Sequence, residues 1–154
     1  VLGAGGAARA AVHAVLSAGA RSVHIVNRNP ARAVTVAQGF GERVSAHGIE
    51  DEARLMSAAD LLVNTRPAHA PDGEALPITD LAGLADAALV TDIVYVPVET
   101  PLLAAARARG LRTADGLGML LHQAVPGFER WFGVTPQVDE ALRSLVLSDI
   151  EKGV

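Results

Sequence analysis

Residues 1–12 read VLGAGGAARAAV: two apolar residues, a glycine-rich run, then a stretch of helix-forming composition. Gly3, Gly5 and Ala8 fit the spacing G-x-G-x-x-G/A. In a strand–turn–helix unit the first glycine makes the tight turn out of the strand. The second lets the backbone approach a pyrophosphate, and the third small residue lets the helix pack closely on the sheet. On this reading Val1 and Leu2 end a strand, and a helix from about Gly5 to Ala18 turns free N–H groups and a positive dipole end toward a phosphate. Glycine- and alanine-rich turns are common, so the pattern depends on its surroundings.

The surroundings alternate between strand and helix signals. RSVHIVN (21–27) is apolar at alternate positions, and Pro30 opens a helix through about Gln38. ERVSAH (42–47) is a short strand, IEDEARLMSA (49–58) a short helix, and DLLVNT (60–65) an apolar run of the buried parallel-strand type. Residues 66–80 are rich in proline and read as a loop, followed by a buried strand ALVTDIVYV (88–96). Thr100 and Pro101 supply an N-cap and first-turn proline for a helix over 101–109, which Gly110 ends. LRTA (111–114) is a last strand, helical patterning runs from Gly116 to about Phe132, and Val138–Ile150 forms a final amphipathic helix. This alternation predicts an α/β fold: a doubly wound, Rossmann-like parallel sheet with C-terminal helices.

Composition narrows the partners. The 154 residues are 50% hydrophobic with a net charge of −4, enough for one core and without the basic cluster that nucleic acid requires. There is no cysteine, so no disulfide framework or thiolate chemistry, which suits a cytoplasmic protein. The apolar stretches are shorter than a membrane span, so no membrane partner is expected. His13, His24, His47, His69 and His122 lack paired ligand spacing, so no metal site is expected.

The end of the 21–27 strand bears on the cofactor. A carboxylate there, about 20 residues past the glycines, would bind the ribose 2′-OH of NAD. The chain instead has Asn27-Arg28-Asn29-Pro30-Ala31-Arg32, placing Arg28 and Arg32 one helical turn apart. Guanidinium groups pair bidentately with phosphate, so these residues favour NADP.

GAGGAA (3–8), NRNPAR (27–32), DIVYVPVETPLL (92–103) and DGLGMLLHQAVPGFERWFG (115–133) together resemble the shikimate dehydrogenase family in order and spacing. The resemblance implies NADPH-dependent reduction of 3-dehydroshikimate to shikimate, a step of aromatic amino-acid biosynthesis. It implies a pyrophosphate loop at Gly3, Ala4, Gly5, Gly6 and Ala7, and an adenosine-phosphate clamp at Asn27, Arg28 and Arg32. Asn64 and Thr65 fall on the loop that lies along the cofactor. Ile93, Gly116 and Met119 match positions around the nicotinamide, and Tyr95 and Gln123 match residues that hydrogen-bond the polyhydroxy-acid substrate. Tyr95 is also the only tyrosine, read as standing at the carboxyl end of a central strand, where open α/β sheets bind ligands. Asp92 and Asp115 read as element-end hydrogen-bonding residues rather than catalytic carboxylates, and His122 as structural or exposed.

Two departures stand out. After DLLVN the family continues with small polar residues and then Gly-Met, whereas this chain has Thr65-Arg66-Pro67-Ala68-His69-Ala70. Pro67 biases Arg66 toward an extended backbone, and the loop is expected to depart from the family's cofactor contact. Val96 stands where a polar residue is frequent. The family's proton-handling Lys and Asp belong to a preceding substrate domain, and the only lysine here is Lys152. The chain therefore reads as a fragment with no catalytic residue of its own. Residues 1–133 form its NADP-binding domain with a truncated first strand, and 134–154 a helix that packs on the missing domain. The apolar stripe Val138, Leu142, Leu145 and Val146 makes a homodimer an expected alternative partner for that helix. A quinate/shikimate dehydrogenase acting on another polyol acid, or a non-catalytic NADP-binding module, are the rival readings.

Overall fold

The computed structural model describes residues 1–68 and 77–153. Five short strands, β1 (Val23–Val26), β2 (Val44–His47), β3 (Leu61–Asn64), β4 (Leu89–Asp92) and β5 (Arg112–Ala114), alternate with helices. These are α1 (Gly6–Ser17), α2 (Pro30–Ala37), α3 (Glu52–Met56), α4 (Pro101–Ala108), α5 (Gly116–Phe132) and α6 (Glu140–Lys152). All strand pairings are parallel: β1 with β2, β3 with β4, and β4 with β5. The two groups meet at Leu2, which bridges Val26 on one side and Asn64 on the other. The order is thus β2, β1, Val1–Leu2, β3, β4, β5, a doubly wound sheet whose direction of winding reverses between the opening residues and β3. Ligands of such sheets bind at that reversal, beyond the carboxyl ends of the strands.

Both faces of the sheet are covered. Neighbouring residues Ile25 and Val26 project to opposite sides, and each is buried in a different apolar cluster. Ile25 joins Val12 of α1, Ala33 and Val36 of α2, and Val44. Val26 joins Leu2, Leu62 and Val90 with Met56 of α3 and Leu102, Leu103 and Ala106 of α4. Burying one such aliphatic side chain is worth about 1.5–3 kcal/mol, which holds strands of only three or four residues in place. Ala8 is fully buried, so α1 lies close on the sheet as the small third residue of the glycine pattern implies. Thr100 caps α4 through Leu103 N–H at 3.3 Å with Pro101 in its first turn, and Gly110 follows with φ +75°.

Three elements differ from the sequence reading. The strand expected over 88–96 ends at Asp92, because β5 pairs only as far as Thr91 and the last bond to β3 is Ile93 N–H to Asn64 O at 3.1 Å. Tyr95 therefore sits in the loop beyond the strand rather than at its end. The helix expected over 49–58 divides into a 3₁₀ turn, Ile49–Asp51, and the short α3. The final helix starts at Glu140, where Asp139 caps Leu142 N–H at 2.9 Å. Its apolar stripe is split: Val138, Leu142 and Val146 are half-buried, while Leu145 is 69% exposed. Arg143 ties α6 to the start of α5 by pairing with Asp115 at 2.7 Å. His69 and Ala70, part of the unusual loop, lie outside the described residues.

The joint at residues 1–3 is closely fitted. Gly3 has φ +106°, and a Cβ there would stand 2.6 Å from Thr65 Oγ1, whereas a Cβ on Gly5 would meet nothing within 4 Å. Gly3→Ala is expected to lower unfolding stability by about 2–3 kcal/mol, from left-handed strain and the disturbed Thr65 bond. Gly5→Ala should stay within about 0.5 kcal/mol of wild type. Urea denaturation of the two variants checks this, and equal midpoints would contradict it.

Candidate functional site

The glycine loop leaves β-sheet geometry at Gly3 and enters α1 at Gly6. Gly5 is the N-cap, with extended backbone (φ −102°, ψ −167°) and no side chain to cap the helix. The first turn of α1 carries no acidic residue. Its N–H groups are thus available to an anion, with the helix dipole favouring negative charge. The φ at Gly5 suits any residue, so the lack of a side chain there serves space, not backbone conformation. Gly5, Gly6 and Ala7 are exposed around that space.

The turn after β1 forms the second wall. Asn27 Nδ2 donates to Asn29 O at 2.9 Å, and Asn29 Oδ1 accepts from Ala31 N–H at 3.1 Å to cap α2. Asn29 followed by Pro30 is an N-cap and first-turn pair that sequence could have identified. Because α2 begins at Pro30, Arg28 lies on the turn and Arg32 in the first turn of the helix. Both arginines are exposed, and no ion pair engages either side chain among the described residues.

Asn64 and Thr65 face inward. Asn64 is 8% exposed, and its Nδ2 donates to Asp92 Oδ1 at 2.9 Å while its Oδ1 accepts from Arg66 Nε at 3.2 Å. Thr65 Oγ1 donates to Leu2 O at 2.7 Å. Both side chains are engaged by partners within the protein. Asp92 also accepts from Thr100 Oγ1 at 2.8 Å and Val94 N–H at 3.1 Å, and Asp115 caps α5 through Leu117 N–H at 3.1 Å. Both carboxylates hydrogen-bond backbone N–H groups at the ends of their elements.

Arg66 is the residue whose partners the sequence did not disclose. Its guanidinium is hydrogen-bonded to Asn64 and Thr79 and lies 3.7 Å from Glu52 Oε2. That oxygen is buried with no hydrogen-bond partner of its own. Glu52 stands in α3, far along the chain, and no local pattern links it to Arg66. The guanidinium is thereby held between β3, residue Thr79 and α3, and is largely shielded from solvent.

The remaining residues gather around the loop after β4. Thr65, Arg66, Ile93 and Tyr95 line one open cleft. A Cβ on Gly116 would stand 2.6 Å from Ile93 O and 2.7 Å from Val94 O, so α5 can start there only with glycine. Met119 is 40% exposed and Gln123 is exposed one helical turn further along. Tyr95 is 36% exposed. His122 is exposed too. No group of three or more His, Asp or Glu among the described residues converges as a metal centre, and no described helix is long and apolar enough to cross a membrane.

Residues 1–96 match the family described as Shikimate / quinate 5-dehydrogenase, and residues 116–145 match the Shikimate 5′-dehydrogenase C-terminal domain. The shikimate dehydrogenase (NADP(+)) of Chelativorans sp. (strain BNC1) is 59% identical over 156 residues, covering 99% of this chain and 54% of that protein. Among solved structures, quinate dehydrogenase from Corynebacterium glutamicum in complex with NAD superposes with a TM-score of 0.82 at 34% identity, covering 96% of this chain and 53% of that one. The shikimate 5-dehydrogenase of Thermus thermophilus in complex with NADP(H) and shikimate gives 0.73 at 32% identity, covering 99% and 54%. The chain spans about half the length of the curated relatives it matches.

The Arg66 network makes a separable prediction. Arg66→Ala strands the buried Glu52 oxygen and is expected to cost roughly 1–3 kcal/mol. The double variant Arg66→Ala/Glu52→Leu should regain part of that loss, because no unpaired charge remains. Denaturation midpoints of the two single variants and the double variant check it. Strict additivity would show that the two side chains do not interact.

Proposed function

The chain belongs to the shikimate/quinate dehydrogenase family, and from that premise we propose that residues 1–133 form the NADP-binding unit of an enzyme that reduces 3-dehydroshikimate to shikimate. The observation that carries the reading is the pairing of an uncapped, side-chain-free helix start at Gly5–Gly6 with two exposed arginines, Arg28 on the turn after β1 and Arg32 at the start of α2, neither in an ion pair among the described residues. Curated relatives are named shikimate dehydrogenase (NADP(+)), which supports the choice of cofactor.

The residues present fit that cofactor. Gly3 makes the turn, and the backbone from Ala4 to Ala7 meets the pyrophosphate. Arg28 and Arg32 take the 2′-phosphate, with Asn27 holding their turn in shape. Asn64 and Thr65 act from beneath, keeping the floor of the site fixed. Ile93, Gly116 and Met119 border the nicotinamide, which supplies a hydride when NADPH is bound. Tyr95 and Gln123 hydrogen-bond the polyhydroxy acid. An enzyme selective for NAD is disfavoured by the absence of a carboxylate after β1, where Asn27, Arg28 and Asn29 stand.

Among the described residues we find no candidate for the acid–base part of the reaction. Asp92 and Asp115 are committed to backbone and side-chain hydrogen bonds, and Lys152 is exposed at the end of α6. The partner domain implied by the family supplies that chemistry, with 134–154 reaching toward it. The exposed Trp131 (80%), Phe132 (65%) and Leu145 (69%) give the chain alone a surface for self-association. A monomeric solution mass for the full chain would contradict that.

NADP is expected to bind more tightly than NAD. Arg28→Ala and Arg32→Ala should each weaken NADP by about 1.5–3 kcal/mol and leave NAD nearly unchanged. Calorimetric titration of both cofactors checks this, and equal affinities in the wild type would contradict it. The 154-residue chain is also expected to show no shikimate oxidation, since acid–base assistance contributes about 10²–10⁴-fold. Robust turnover by the purified chain would refute that assignment.

A further inference from the structure

Between β1 and β2 two imidazoles come together. His24 pairs with Ser45 in the β1–β2 register, and Val26 with His47. On that face His24 Nδ1 lies 3.1 Å from His47 Nε2, and Ser45 Oγ lies 2.8 Å from the first and 2.9 Å from the second. The far side of His47 is anchored, with its Nδ1 3.2 Å from Asp51 Oδ2 and Arg54 held on the other oxygen of Asp51 at 2.7 Å.

The chemistry follows from the protons. A carboxylate only accepts, so the proton of His47 is on Nδ1 and its Nε2 presents a lone pair toward His24 and Ser45. Carboxylate–histidine pairing of this kind fixes the tautomer of metal-binding imidazoles and raises their basicity. Two nitrogens each 2.0–2.1 Å from a tetrahedral ion lie about 3.3–3.4 Å apart. The observed separation is within a small ring rotation of that value, and His24 is exposed enough to rotate.

We propose that His24 and His47, with Ser45 as a weak third ligand, form a site for a borderline divalent transition-metal ion such as Zn²⁺, clamping β1 to β2. On binding, the ion takes the Nδ1 lone pair of His24, whose proton moves to the solvent-facing Nε2. Water fills the remaining positions, since the rings are accessible from one side. Sequence spacing hid the pair because His24 and His47 lie on different strands, 23 residues apart.

The test is titration of the full chain with Zn²⁺ alone by calorimetry, and with Cu²⁺ alone by electron paramagnetic resonance. One saturable ion per chain is expected, with nitrogen hyperfine structure from two imidazoles. His24→Ala and His47→Ala should abolish it, and Asp51→Asn should weaken Zn²⁺ by about 10–100-fold. The control variants His13→Gln and His122→Gln, both at exposed positions on helices, should bind as wild type. Cooperative thermal unfolding establishes that each variant is folded, and if either alanine variant is not, Asp51→Asn decides. No saturable binding by the wild type, unchanged binding in Asp51→Asn, or equal losses in the controls would overturn the site.

Discussion

Everything in this fold turns on the carbonyl of Leu2. It accepts from Thr65 N–H at 2.8 Å and from Thr65 Oγ1 at 2.7 Å, while Leu2 N–H reaches back to Val63 O at 2.8 Å. On the other side Gly3 N–H donates to Val26 O at 2.8 Å and Val26 N–H to Val1 O at 2.9 Å. Among the described residues the two strand groups have no other ladder between them, so these residues both join the sheet and fix the exit direction of the glycine loop. Fold and site share one joint. The loop's position relative to β3 is set by the same threonine that any side chain at position 3 would strike.

The same economy explains how Arg66 is accommodated. A long cation after β3 could project into the cofactor cleft, where it would compete with or distort ligand contacts. Here Asn64, Thr79 and Glu52 draw it inward, and Asn64 in turn holds Asp92, which holds Thr100 at the start of α4. The carboxyl ends of β3 and β4 are thereby cross-braced by side chains where their backbone ladder stops. An exposed ion pair would contribute little, but this one is largely shielded and shares a hydrogen-bonded network, so its members act together.

What sequence could disclose was the local part. Apolar alternation placed each strand to within a few residues, Thr100–Pro101 and Gly110 bounded α4, and the glycine spacing located the turn at Gly3. What it could not disclose was set by distant partners. The length of β4 depends on where β3 and β5 stop pairing, so Tyr95 could not be placed by the apolarity of 88–96. The inward turn of Asn64 and Thr65 depends on Asp92 and Leu2, and the fate of Arg66 on Glu52. The start of the second helix at Pro30 was legible from its proline, and Asn29 caps it as N-cap, so Arg28 precedes the helix and Arg32 lies within it.

The division between engaged and free polar groups gives the site its logic. Side chains that could compete for a dinucleotide are largely occupied within the protein: Asn27 on Asn29, Thr65 on Leu2, Asn64 between Asp92 and Arg66. Among the described residues, what remains free is the row of N–H groups at the start of α1 and the guanidiniums of Arg28 and Arg32. Backbone amides accept a pyrophosphate from either dinucleotide, so the α1 end supplies affinity without choosing between them. On the proposed reading, choice of cofactor falls to Arg28 on the turn after β1 and Arg32 at the start of α2, a segment that joins the apolar clusters only through Ala33, Val36 and Ala37. A fold that keeps its common contact on the central joint and its discriminating contact on a peripheral turn can change cofactor without disturbing the sheet. That separation is consistent with related structures that hold NAD in one member and NADP(H) in another on the same frame.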